Sequence, residues 1–313
     1  MTVWTTVSLQ EVNQWLAARG LGKAAAITPI EEGVEDSIYR LQLTDGSGAC
    51  LRLFERTEPQ GPLEIAACLA AYGLPTCPPF ADKQGRLWTP LKDKPAAVYP
   101  WIDGAWVPEP SLMQIEAIGA FLGQIAAAGP KHCANWVREN PRGWDWMAAT
   151  AKALAAVLDA ETQNELESEV SAQLAYWQPD GKIDVPRGPI HADLFRNNAL
   201  FDKEGKLAAV FDWGFCASGF PLIFDLAIVA NDWCLQKGTY ALDKERLDAL
   251  LRGRCGLAPF TESENAAWGM ALRWAALRFW LSRLYDWHLP RDTCGHAHDP
   301  KPFQEILRER KKM

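Results

Sequence analysis

The chain has 313 residues, 48% hydrophobic and 23% charged. That is enough apolar sequence for one large or two moderate cores and is not the balance of a disordered protein. A net charge of −7 and an isoelectric point near 5.4 argue against nucleic acid or an anionic membrane as the main partner. No stretch reads as a membrane span or signal peptide, and eight cysteines without a C-x-x-C pair point to a reducing cytoplasm and no disulfide framework.

In chain order, residues 37–43 alternate weakly, and the turn Asp45-Gly46-Ser47-Gly48 returns them into 49–54 as a β-hairpin. A helix is predicted over 63–72, stopped by Gly73 and the proline-rich run that follows. It is the one helix expected in the first hundred residues, with further strands at 87–88 and 96–99. Pro100-Trp101-Ile102-Asp103-Gly104 breaks this pattern. Beyond it, Ile115, Ile118, Leu122 and Ile125 fall on one helical face. Further helices are predicted over 148–176, 222–235, 242–254 and 264–285. Short strands are expected around 190, 199–201 and 207–211. The closing basic run, 308–312, reads as a solvated helix end. The prediction is an α+β chain of two lobes: a β-rich lobe over 1–99, a hinge at 100–104 and a helical lobe over 105–313.

The loops of the second lobe carry the chemistry. His191-Ala192-Asp193-Leu194-Phe195-Arg196-Asn197-Asn198 reads H-x-D-x-x-x-x-N, and Asp212 ends the short apolar run before Trp213-Gly214. Phosphoryl transfer needs a carboxylate to receive the acceptor's proton, and an amide and a second carboxylate to hold magnesium on the phosphates. Asp193 is the candidate base, Asn198 and Asp212 the candidate metal ligands. Alone, the His191–Asp193 pair reads equally as a strand-end histidine with a capping aspartate. The company of Asn198 and Asp212 decides for catalysis.

These loops identify the chain as a member of the aminoglycoside phosphotransferase superfamily, with its bilobal protein-kinase-like fold. Phe224-Asp225-Leu226-Ala227, Asn231-Asp232-Trp233-Cys234 and the run from Leu277-Arg278-Phe279-Trp280 to Asp286 resemble, more narrowly, its bacterial homoserine kinases. Asn140-Pro141-Arg142-Gly143 and Leu51-Arg52-Leu53-Phe54-Glu55 lend weaker support. The resemblance implies ATP and Mg2+ as cofactors, L-homoserine as acceptor, threonine biosynthesis as setting and the cytoplasm as location. A kinase for another small alcohol, amine or aminoglycoside is the first alternative; a non-catalytic nucleotide-binding regulator is the second.

It also implies site residues. His191 orders the catalytic loop, and Asp225 braces that loop from behind. Gly33 and Ser37 sit where a kinase places its phosphate-covering turn, although an ordinary hairpin turn fits them as well. Arg52 replaces the lysine expected to hold the α- and β-phosphates, with Glu64 its possible partner or a plain surface charge. Tyr99 and Trp101 border the adenine-reading hinge, with Trp101 reading also as lobe-interface core. Arg196 faces transferring phosphate or forms a structural ion pair. Apart from the resemblance, an amino-acid acceptor needs a cation for its carboxylate and an anion or carbonyl for its ammonium. Asn231-Asp232 and Arg278, Arg283 and Asp286 lie on two predicted helices, with Asp232 and Arg283 the candidate acceptor contacts and an intrahelical Arg283–Asp286 pair the alternative.

Overall fold

The computed structural model describes residues 4–30, 36–177, 183–289 and 297–313. The small lobe is built on helix α1 (Leu9–Arg19) and a five-stranded antiparallel sheet: β1 (Ala24–Ile30), β2 (Ser37–Leu43), β3 (Gly48–Leu53), β4 (Thr89–Leu91) and β5 (Lys94–Pro100), in the order β1-β2-β3-β5-β4. The α1 helix goes beyond the single helix expected here. A capping box between Ser8 and Glu11 opens it, and Gly20, at φ 71°, closes it in the left-handed conformation. Alternation then sorts the sheet's two faces. Tyr39, Leu41, Leu51, Leu53 and Val98 share a core with Val12, Trp15 and Leu16 of α1. Arg40, Cys50, Arg52 and Tyr99 take the other face; Arg52 pairs in register with Ala97, and Cys50 with Tyr99.

Helix α2 (Gln60–Ala71) packs Ile65, Ala66 and Leu69 into the core of the larger lobe. That lobe contains α3 (Leu112–His132), α4 (Trp144–Leu154), α5 (Ala160–Trp177), α6 (Ile223–Trp233), α7 (Lys244–Leu257), α8 (Glu262–His288) and α9 (Lys301–Arg310). Two small antiparallel ribbons carry its loops. One joins β6 (Arg187–Ile190) to β9 (Ala217–Pro221), the other β7 (Ala199–Phe201) to β8 (Leu207–Val210). Helices α3 and α7 cross closely because Gly119, Gly123 and Gly253 remove side chains at the contact; a methyl on Gly253 would run into the Glu116 carbonyl oxygen. Trp274 centres an aromatic core, with ring centroids 4.1 Å from Trp144 and 4.2 Å from Phe224.

Several expectations are corrected. The helix expected over 148–176 is two, because Asp159 accepts the Thr162 amide hydrogen at 2.9 Å and caps a new start. The terminal basic run is not simply solvated. Arg310 is 3% exposed and donates to Asn231 Oδ1 at 2.8 Å, while Arg308 pairs with Glu165 and Lys311 with Glu169. Helix α3 does have the length and hydropathy of a membrane span, alone among the described residues. Its apolar face is the core contact with α7 and α2. Finally, Cys68 of α2 and Cys133 at the end of α3 form a disulfide, their Cα atoms 6.4 Å apart. Sequence spacing gives no hint of it, since the pair is 65 residues apart.

Candidate active site

Strand β6 ends at Ile190 and delivers His191, Ala192 and Asp193 into a tight bend, with Ala192 at φ 63°. A left-handed alanine costs energy and persists only where its surroundings fix it. Asp225, on α6 and 2% exposed, supplies the fixing: its carboxylate accepts the His191 amide at 2.6 Å and the Ala192 amide at 2.7 Å. Burial pushes the Asp225 carboxyl up to about 6, and these two amides pull the other way.

His191 is fully buried against the Trp213 ring, centroids 4.6 Å apart. Burial drives its imidazole down to about 4, so the ring is neutral near pH 7. Its Nε2 lies 2.9 Å from the Phe211 carbonyl oxygen, which only accepts, so Nε2 carries the proton. Nδ1 then accepts the Asp193 amide hydrogen at 3.2 Å. The ring therefore splices the loop of Asp193 to the segment of Asp212.

Asn198 donates its Nδ2 to the Asp193 carbonyl at 2.8 Å and to Asp193 Oδ2 at 3.3 Å. Its nitrogen is spent on the loop, which leaves its side-chain oxygen as the available ligand atom. Asp212 stands at φ 60° with its side chain 44% exposed, a strained and open carboxylate. One amide oxygen and one carboxylate fit a hard divalent cation whose remaining ligands come from phosphate and water. Behind Asp212, Arg138 donates to the Gly214 and Cys216 carbonyls at 2.9 and 2.6 Å and pins the loop.

Arg52 crosses from the small-lobe sheet into the cleft. Its Nε donates to Asp36 at 2.6 Å, and its Nη1 lies 3.4 Å from Asp212 Oδ1. The buried partner is thus Asp36, not Glu64, which is exposed and takes a hydrogen bond from Gln60 instead. Ser37 is also spent elsewhere: its hydroxyl oxygen accepts the Trp4 and Thr5 amides and donates to Glu55 at 2.6 Å. Gly33 lies outside the described residues. Tyr99 shares the cleft face with Arg52, and Trp101 packs under the Arg40 guanidinium at 4.3 Å.

Arg196 forms an ion pair. It forks onto Asp232 at 3.0 and 3.1 Å and donates to the Pro108 carbonyl, which occupies Asp232 as well. Arg283 turns to α9, donating to the Asp299 carbonyl and lying 4.5 Å over Phe303. The α8 arginine that reaches Asp193 is Arg278, five residues earlier, with Nη1 3.7 Å from Asp193 Oδ1. Arg142 is held over Trp146 at 4.1 Å, beside Phe215 and Tyr285. Sequence reasoning placed no role on Asp36 or Arg138. The signal available for Asp36 was its place directly before the hairpin; for Arg138 there was none.

A two-lobed fold with this pairing of loops defines a phosphotransferase of protein-kinase-like architecture. A model of the phosphotransferase enzyme family (APH) matches residues 26–279, and the chain belongs to that family. It is 38% identical over 314 residues to a homoserine kinase of Janthinobacterium sp. (strain Marseille), covering 99% of this chain and 96% of the relative. A homoserine kinase of Burkholderia mallei (strain SAVP1) is 37% identical over 324 residues, with the same coverage. Among solved structures, an amicoumacin kinase complexed with AMP-PNP and Ca2+ superposes with a TM-score of 0.71 at 17% identity, over 96% of this chain and 92% of that one. Spectinomycin phosphotransferase, complexed with ADP and spectinomycin, gives 0.66 at 13% identity over 97% and 95%. At such identities these structures speak for the fold alone.

Proposed function

We propose that this protein transfers the γ-phosphoryl group of ATP to the side-chain hydroxyl of L-homoserine, forming O-phospho-L-homoserine for threonine biosynthesis in the cytoplasm. What supports the reading most is a chain that matches homoserine kinases along nearly its whole length, with Asn198 bonded to Asp193 and His191 tying the Asp193 amide to the Phe211 carbonyl beside Asp212. Residues 1–99 hold the nucleotide, 100–104 form the hinge and 105–313 hold the acceptor.

Asp193 accepts the hydroxyl proton as the acceptor oxygen bonds to the γ-phosphorus and the bond to the ADP oxygen breaks. Asn198 and Asp212 would hold Mg2+, which supplies neutralisation of phosphate charge when bound. Arg52 binds phosphate from the sheet side, and Tyr99 and Trp101 flank the base. His191 and Asp225 move no proton to substrate; they fix where Asp193 points. Positioning and electrostatics carry most of the rate in such a site.

An arginine 3.7 Å from the base suits an anionic acceptor better than a polycationic one. The experiment is a coupled Mg-ATP assay with L-homoserine beside choline, L-serine, L-threonine, methylthioribose and kanamycin. Turnover confined to homoserine supports the reading; turnover of another acceptor with homoserine ignored removes it.

A further inference from the structure

Arg278 is a buried cation that the transfer chemistry leaves unused. It lies inside α8, 3% exposed, with its guanidinium carbon 4.0 Å from the Phe279 centroid and 4.6 Å from that of Phe215. Its approach to Asp193, at 3.7 Å, is longer than a hydrogen bond. Its Nε and Nη2 have no hydrogen-bond partner among the described residues. Burial lowers its pKa to about 10, against the pull of the Asp193 and Asp286 carboxylates, and Arg142 adds to the lowering. A folded chain rarely keeps such donors buried without a partner, because their lost hydration goes uncompensated. A ligand that brings the partner accounts for them.

The neighbourhood fixes what that ligand carries. Arg142 stands over the same Phe215 ring, 5.9 Å from its centroid, so two guanidinium groups share one aromatic wall, and Arg278 carries it to the base. Guanidinium donors match the two oxygens of a carboxylate in a planar fork. We infer that Arg278, assisted by Arg142, binds the α-carboxylate of the acceptor and thereby selects an amino acid over the corresponding amino alcohol. The inference rests on the acceptor reading above and deepens it. In L-homoserine four single bonds separate the hydroxyl oxygen from the carboxylate carbon, a span of roughly 5 Å when extended. That reach lets one molecule present its hydroxyl to Asp193 and its carboxylate to Arg278.

A rival role for Arg278 is only to hold Asp193 in place, and the two roles separate kinetically. The probes are L-homoserine and 3-aminopropan-1-ol, which is homoserine without its carboxylate. They are compared on the wild-type chain and on Arg278→Gln and Arg278→Lys, with thermal melts to check folding. Carboxylate recognition predicts that the ratio of kcat/KM for homoserine over the amino alcohol collapses on the order of 10²-fold in Arg278→Gln, mostly through the homoserine KM. Lysine at 278 recovers part of the ratio. Should Arg278→Gln fail to fold, Arg142→Gln is predicted to lower the same ratio through the same KM. Equal losses for both acceptors, or an unmoved homoserine KM, overturn the inference alone. A wild type that ignores homoserine and turns over an acceptor without a carboxylate removes the acceptor reading with it.

Discussion

Arg52 of the small-lobe sheet reaches across the cleft to Asp212 of the large lobe, Nη1 to Oδ1 at 3.4 Å, while its Nε is held by the buried Asp36 at 2.6 Å. A lysine in its place has one charged nitrogen and cannot hold Asp36 while reaching phosphate in the same fork. Arg52→Lys is predicted to raise the KM for Mg-ATP about 10-fold and Arg52→Met about 10²-fold. Initial-rate kinetics with ATP as the varied substrate check this. An unmoved ATP KM in Arg52→Met removes Arg52 from the phosphate site.

Asp212 occupies left-handed backbone, at φ 60°, where asparagine is as well tolerated as aspartate. Asp212→Asn therefore keeps the fold and removes one charge from the proposed metal site. The expected result is a fall in kcat on the order of 10²–10³-fold, as for loss of a charge-stabilising group elsewhere, with little change in melting temperature. Parallel loss of activity and melting temperature would instead mark Asp212 as structural.

His191 links acidity to stability. Its folded pKa, depressed from 6.5 to about 4 by burial, means the unfolded chain binds a proton before the native one does. The contribution of the neutral ring is complete above pH 6.5 and is lost as pH falls from 6.5 towards 4. Denaturant melts from pH 6.5 to 4 should show the wild type losing stability relative to His191→Gln, whose position 191 does not titrate; a difference between the two that does not change with pH contradicts this role for His191. Asp225, raised to about 6, works in the opposite sense between its ordinary value of 3.8 and 6, so the difference between wild type and His191→Gln is the quantity to read.

Gly253 sits where α7 touches α3, and a methyl there meets the Glu116 carbonyl and the Ala120 amide nitrogen, both backbone atoms. Backbone cannot rotate out of the way, so Gly253→Ala should destabilise by about 1–3 kcal/mol or more, despite alanine's better helix propensity. Gly256, on the same helix with open space around it, is the control, and its alanine variant should be neutral or stabilising. Urea melts of the two variants decide the matter.

The Cys68–Cys133 disulfide closes a 65-residue separation between α2 and α3. Cys68→Ser, or reduction of the wild type, should lower unfolding free energy by about 2–4 kcal/mol. Mass mapping of peptides without reductant should recover the cross-linked pair. Two free thiols there, with no change in stability on adding reductant, would contradict it.

The contact between Asp193 and Asn198 was legible because the two residues are five apart in a single bend. The small-lobe hairpin was legible from its turn, and the α3 helix from the apolar periodicity of Ile115, Ile118, Leu122 and Ile125. The α1 helix was missed although Ser8, Glu11 and Gly20 carry ordinary start and stop signals. What spacing could not give was the pairing of side chains distant in sequence. Arg196 takes Asp232 from the cleft across 36 residues, and Asp36 rather than Glu64 receives Arg52. Arg283 and Arg278 both lie on one helix, and only packing against Phe303 and Phe215 tells which one turns towards Asp193.

The assignment of Asp193 as acceptor of the hydroxyl proton is tested by Asp193→Asn, with little change of shape. Asparagine can still accept Asn198 Nδ2 through its oxygen, and the main-chain bonds to Asn198 and His191 are untouched. Steady-state phosphorylation of L-homoserine by Mg-ATP, with the melting temperature recorded on the same sample, is the measurement. The expected result is a loss in kcat on the order of 10²–10⁴-fold at nearly unchanged melting temperature and ATP KM. Turnover within a few-fold of the wild type would contradict it.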